Sequence, residues 1–98
     1  MSKYAIYTKW YWKHGLSSTE EIQNGMKENL LGKTKADDII WWKMDDNHHQ
    51  SITIYSSEDA AKKHRAELEQ FRKNSSNEYS IKMIDETMGP VVAQLSEL

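Results

Sequence analysis

Two groups of side chains in this chain have the types and spacing for chemistry. His64 falls in the series Ala61, His64, Leu68 and Phe71, spaced by threes and fours, so a helix there turns it toward the core. A neutral imidazole in apolar surroundings could act as a general base or as a haem ligand. Its plainer reading is a half-buried ring, hydrogen-bonded where helix meets sheet. The second group is Asp45, Asp46, His48 and His49, which together carry the donors of a divalent-cation site. Set between two apolar runs, the stretch reads first as a solvated hairpin tip. Such a tip lacks the preorganised geometry that a metal site requires. No bound metal or cofactor is expected.

Other chemistries are excluded by what the chain lacks. It has no Gly-rich phosphate loop, no nucleophile elbow and no HExxH motif. With no cysteine it can form no disulfide, thiolate zinc site, iron–sulfur cluster or Cys nucleophile. Thirteen basic and fifteen acidic residues leave a net charge of −2, against a nucleic-acid partner held by a strong positive field. No apolar stretch approaches the roughly 20 residues that span a bilayer, and no signal-peptide pattern opens the chain, so neither a membrane nor secretion is expected. The expectation is a cytoplasmic protein whose residues 1–98 form one domain, large enough to bury about two-thirds of its unfolded surface.

The elements that must position these groups follow from the periodicities. Tyr4 to Trp12 is aromatic and β-branched with apolar residues at both parities, as in a central strand covered on two sides. His14 and Gly15 break it. Ser18 and Glu21 then form a capping box ahead of Ile22, Met26 and Leu30, one apolar stripe of a helix that Gly32 terminates. Gly25 within that helix costs roughly 1 kcal/mol relative to Ala. Its missing side chain is expected to let the helix approach the sheet closely. Asp38 to Met44 is again apolar on both faces, and Ser51 to Tyr55 alternates cleanly, so the two read as a hairpin across the polar turn 45–49.

Ser57 caps a second helix, with Glu58 and Asp59 in its first turn and Glu58–Lys62, Asp59–Lys63 and Glu69–Lys73 pairs along a solvated face. A loop is expected over residues 74–77. The last strand alternates Tyr79, Ile81 and Met83 against Ser80, Lys82 and Ile84, and ends at Gly89-Pro90. Residues 90–98 read as a short amphipathic tail, with Pro90 in its first turn and Val91, Val92, Leu95 and Leu98 to dock on its own subunit or a partner.

That order is β-α-β-β-α-β. Right-handed crossovers and neighbouring hairpin strands make it a ferredoxin-like split βαβ sandwich of the α+β class. Its antiparallel sheet runs 4-1-3-2, with both helices on one face. The other face is left bare. Of four Trp, five Tyr and one Phe, only Phe71 lies in a helical stretch. Strand aromatics left in water would make an unusually large apolar patch, so a second copy packed sheet to sheet is expected to cover it.

Over residues 3 to about 92 the element order, with the passage Tyr55-Ser56-Ser57-Glu58-Asp59-Ala60-Ala61 from third strand into second helix, resembles the dimeric α/β-barrel superfamily. That superfamily includes small antibiotic-biosynthesis-type monooxygenases, haem-degrading monooxygenases and stress-responsive barrel proteins. The resemblance implies a homodimer with a pocket between sheet and helices in each subunit. It also implies a small apolar or aromatic ligand there, with Tyr7, Trp10, Trp42, Tyr55 and His64 as binding residues and His64 as the candidate catalytic one. Cofactor-independent members deprotonate a phenolic or quinol-type substrate and let it react with oxygen. Haem-degrading members use an Asn on the first strand, a Trp near the end of the third and a His on the second helix. Here only His64 fits, because no Asn occurs from Tyr4 to Trp12 and Tyr55 stands about where the Trp would be. RNA-binding modules share the element order, but Gln50 to Tyr55 lacks their basic residue and Gly. A small-molecule binder leads, followed by a cofactor-independent monooxygenase and a structural module without a ligand.

Overall fold

The computed structural model of the chain describes residues 3–75 and 80–98, with the backbone alone described over 68–75. Its elements are β1 (Tyr4–Trp12), α1 (Thr19–Asn29), β2 (Asp38–Asp45), β3 (His48–Tyr55), α2 (Glu58–Ser75), β4 (Ile81–Pro90) and a 3-10 turn (Leu95–Glu97). The four strands form one open antiparallel sheet in the order β2-β3-β1-β4, the expected order read from its other edge. β1 is central, and both helices lie over the face that carries Ile6, Thr8, Ser51 and Tyr55.

Register settles which residues share that face. Tyr4, Ile6, Thr8 and Trp10 pair across β1 and β3 with Tyr55, Thr53, Ser51 and His49. Trp41 lies opposite Ser51 and Ile39 opposite Thr53, so they join the same face from β2. On β4, Met88 and Glu86 lie opposite Ile6 and Thr8, but Met83 lies opposite Trp10, after a bulge between Lys9 and Trp10. The extra residue is Ile84, half exposed, and the shift keeps Met83 and Ile81 on the helix side. The opposite face receives Tyr7, Tyr11, Ile40, Trp42, Gln50, Ile52 and Ile54, and among the described residues no helix covers it.

Caps follow the sequence closely. Ser18 Oγ accepts from the Glu21 amide at 3.2 Å, Ser57 Oγ accepts from the Ala60 amide at 3.1 Å, and Lys62 pairs with Glu58. Gly32 holds φ +76 after α1. Among the described residues, the core gathers Tyr4, Ile6, Tyr55 and Ala61, which are buried, with Ala36, Ala60 and Met88 packed on them. α2 contributes Ala61 to that core, whereas α1 buries no residue at all.

Several expectations are corrected. Gly25 does not bring α1 against the sheet, since a Cβ added there would meet nothing within 4 Å. The hairpin turn is not 45–49 but Asp46-Asn47, because His48 and His49 pair with Tyr11 and Trp10 as the first residues of β3. Asp45 closes this tighter turn by accepting from the Asn47 amide and pairing with His48. The helix runs through the first two residues of the expected 74–77 loop. Pro90 ends β4 instead of starting a helix; on an edge strand its missing N–H breaks no ladder bond. The segment beyond forms only the 3-10 turn, with Val92, Leu95 and Leu98 exposed. The expected Leu68 and Phe71 packing, the Glu69–Lys73 pair, Tyr79 in the last strand and the rest of that loop lie outside the described residues. Among the described residues, no helix is long and apolar enough to cross a membrane.

Candidate functional site

Because α1 stands off the sheet, the space beneath it is incompletely filled. A cavity of about 300 Å³ lies between the sheet and the two helices. Its floor is Ile6, Thr8, Trp10, Trp41, Ser51 and Tyr55; Asn29 and Leu30 come from the end of α1, His64 and Arg65 from α2, and Glu86 from β4. Each floor residue is there by strand alternation, since every second side chain faces the helices.

Three polar pairs sit among the aromatic walls. The Tyr55 hydroxyl and His64 Nδ1 share a hydrogen bond of 2.7 Å, with the two rings edge to face at 5.6 Å. Burial lowers the His64 imidazole below its ordinary value; Glu67 opposes that shift and Lys35 adds to it. His64 is therefore neutral at pH 7. On the floor, Thr8 and Ser51 share a short hydroxyl–hydroxyl bond, and Trp10 Nε1 donates to Thr8 Oγ1 at 2.9 Å. Of the two hydroxyl protons, one makes the Thr8–Ser51 bond. Because Thr8 accepts from Trp10, the other remains for a further acceptor. At the α2–β4 side, Arg65 donates through Nε and Nη2 to both carboxylate oxygens of Glu86, a fork that ties helix to strand.

Trp10, Tyr55 and His64 thus come together at this cavity. Tyr7 and Trp42 do not: odd positions of β1 and even positions of β2 face the other way. There they form a chain of their own, Trp42 Nε1 donating to Gln50 Oε1 at 2.8 Å and Gln50 Nε2 donating to the Tyr7 hydroxyl at 2.6 Å.

The turn histidines separate. His48 stays with Asp45 at the hairpin tip, and its ring, with the Asn47 amide, holds Asp45 below the usual carboxylate range. His49 is buried, 3% exposed, beside the cavity. Its ring stacks on Trp41 at 4.4 Å and 21°, lies parallel to Trp10 at 6.1 Å, and meets the edge of Trp12 at 5.7 Å. Trp12 Nε1 donates to His49 Nδ1 at 2.8 Å, so the ring proton sits on Nε2, which has no hydrogen-bond partner among the described residues. Burial pushes this imidazole down to about 4. Among the described residues, no group of three or more His, Asp or Glu side chains converges to hold a metal ion.

Thr8, Ser51, Arg65 and Glu86 are absent from the residues singled out by sequence, and His49 is singled out there only as a turn donor, not as a buried neighbour of the cavity. A signal existed for two of them: Tyr55, Thr53 and Ser51 share a parity, and carrying it two residues back reaches His49. Nothing local pairs Arg65 with Glu86, 21 residues apart. No family model matches this chain, and no curated protein matches it.

Proposed function

We propose that this chain acts as a cytoplasmic homodimer that binds a small, largely apolar aromatic molecule between the sheet and helices of each protomer. One observation carries the reading: a spare hydroxyl proton at Thr8–Ser51 and the Tyr55–His64 pair converge on a cavity walled by Trp10 and Trp41. An apolar hollow with a few convergent polar groups is the usual form of a ligand site, and 300 Å³ holds one or two fused rings. A flat molecule would stack on the indoles and place an acceptor oxygen on the floor hydroxyls. The sheet order supports the resemblance to the dimeric α/β-barrel superfamily, in which a second copy covers the bare face.

Titrating the protein with hydroxylated one- and two-ring aromatics, followed by tryptophan fluorescence and calorimetry, tests this reading. Binding should weaken at least tenfold in Ser51→Ala and in Trp41→Ala, and stay unchanged in Tyr7→Phe on the other face. Equal affinity across all four proteins removes the cavity from consideration.

A second reading, a cofactor-independent monooxygenase, is favoured by the neutral His64 bonded to Tyr55, since an uncharged imidazole can take a phenolic proton. Oxygen uptake with a panel of quinols should then fall in His64→Ala. Uptake equal to that of the unmodified protein would remove His64 from the mechanism and leave the binding reading standing.

A further inference from the structure

The segment following β4 exposes apolar side chains that its own protomer leaves in water. Val92, Leu95 and Leu98 are 96%, 86% and 92% exposed. At the opposite edge of the sheet lies a groove of about 630 Å³ between α1 and β2, walled by Met26, Leu30, Leu31 and Ile39. Leu31 on its lip is 69% exposed.

The strand register relates the two places. Asp38 lies opposite Ile54, Ile54 opposite Ala5, and Ala5 opposite Gly89, so one row crosses the whole sheet from the start of β2 to the end of β4. Groove and segment therefore sit at the same end of the sheet and at opposite edges. When two open faces stack about a two-fold axis running along the strands, the β4 edge of each copy falls over the β2 edge of the other, with that common end preserved.

We propose that residues 91–98 dock, through Val92, Leu95 and Leu98, into the α1–β2 groove of a second copy of this chain. The inference rests on the sheet-to-sheet homodimer proposed above and adds the element that locks it.

Area argues for such a lock. Four strands about 4.8 Å apart and about eight residues long at 3.3 Å each give a sheet footprint of about 500 Å². Stable interfaces bury about 800 Å² per partner. Reach is sufficient, since eight extended residues span about 26 Å and stacked sheets lie only about 10 Å apart. Charge is compatible: Lys27 on the groove can replace Lys3, the exposed partner of Glu97. That exposed pair is weak and easily exchanged.

The cysteine-free chain makes the test clean. Leu95→Cys and Leu31→Cys variants, each at an exposed position, are mixed in equal amounts and treated with a short bismaleimide. The cross-linked peptides are then identified by mass spectrometry, while sedimentation of the unmodified chain reports the dimer separately. The expected result is a mixed cross-link joining the two variants, together with at least tenfold weaker dimerisation of a Leu95→Asp, Leu98→Asp double variant. A dimeric unmodified chain without the mixed cross-link overturns the docking and leaves the sheet-to-sheet dimer intact. A monomeric unmodified chain overturns both. An intramolecular cross-link in a chain carrying both substitutions, formed in preference to the mixed one, assigns the groove to the segment's own protomer and also overturns the proposal.

Discussion

His49 concentrates the opposing forces that act on single residues here. Two indole faces would favour an imidazolium between them through cation–π attraction. Against that, the ring is almost fully removed from water, and its Nδ1 must stay bare to accept from Trp12. Desolvation wins, and the folded protein holds His49 neutral down to about pH 4. The unfolded chain binds a proton at its ordinary 6.5. Above pH 6.5 both states are neutral and the residue confers no pH dependence. As pH falls from 6.5 to 4 the unfolded state alone gains the proton, and stability declines by about 3 kcal/mol, with no further loss from this residue below that. His64 is lowered in the same direction and adds to the slope. Urea midpoints at pH 7, 5.5 and 4.5 should therefore fall steadily, and His49→Phe, which keeps a ring in the stack, should flatten the curve. A slope unchanged by that substitution would place the acid sensitivity elsewhere.

At the scale of elements, the two helices hold their places differently. α2 is seated by Ala61 in the core and by the Arg65 fork on Glu86; α1 has neither and stands over a hollow. Amide hydrogen exchange should be faster across α1 than across the first three turns of α2, and equal protection would show α1 to be anchored in solution. The glycines around α1 should also respond with opposite signs. Gly25→Ala places its Cβ in open space and gains helix propensity of about 1 kcal/mol, raising the unfolding midpoint. Gly32→Ala forces a side chain into φ +76 and should lower the midpoint by about 1 kcal/mol. Element order, strand order and both helix caps were legible in the sequence because they depend on local periodicity and on handedness rules for connecting strands. Sheet faces were not, because β1 and β2 are apolar at both parities and only their pairing with the alternating β3 orients them. His49 was hidden for a related reason: next to Asp45, Asp46 and Asn47 an imidazole reads as turn, and only the three tryptophans around it, all of them on other strands, make it core.

For the whole molecule, the question is what Trp41 and Trp42 do, as neighbours of nearly equal exposure, 37% and 39%. Accessibility alone cannot tell them apart; the pleat does. Trp41 lies over His49 on the cavity side, so Trp41→Ala should lower stability and ligand affinity while leaving self-association unchanged. Trp42 lies on the bare face with Ile40, 54% exposed, and Tyr7. If two such faces pack together, Trp42→Asp buries a carboxylate against apolar strands. The cost is on the order of 3 kcal/mol, about a hundredfold in dimer Kd. The same substitution leaves the folded protomer intact, since among the described residues no helix covers that face. Sedimentation over a concentration series should show the unmodified chain at twice 11.5 kDa and Trp42→Asp at 11.5 kDa, with matching circular dichroism. Both sedimenting alike as single protomers would mean that an aromatic sheet face of this size survives in water uncovered, and would leave the cavity side as the molecule's single working surface.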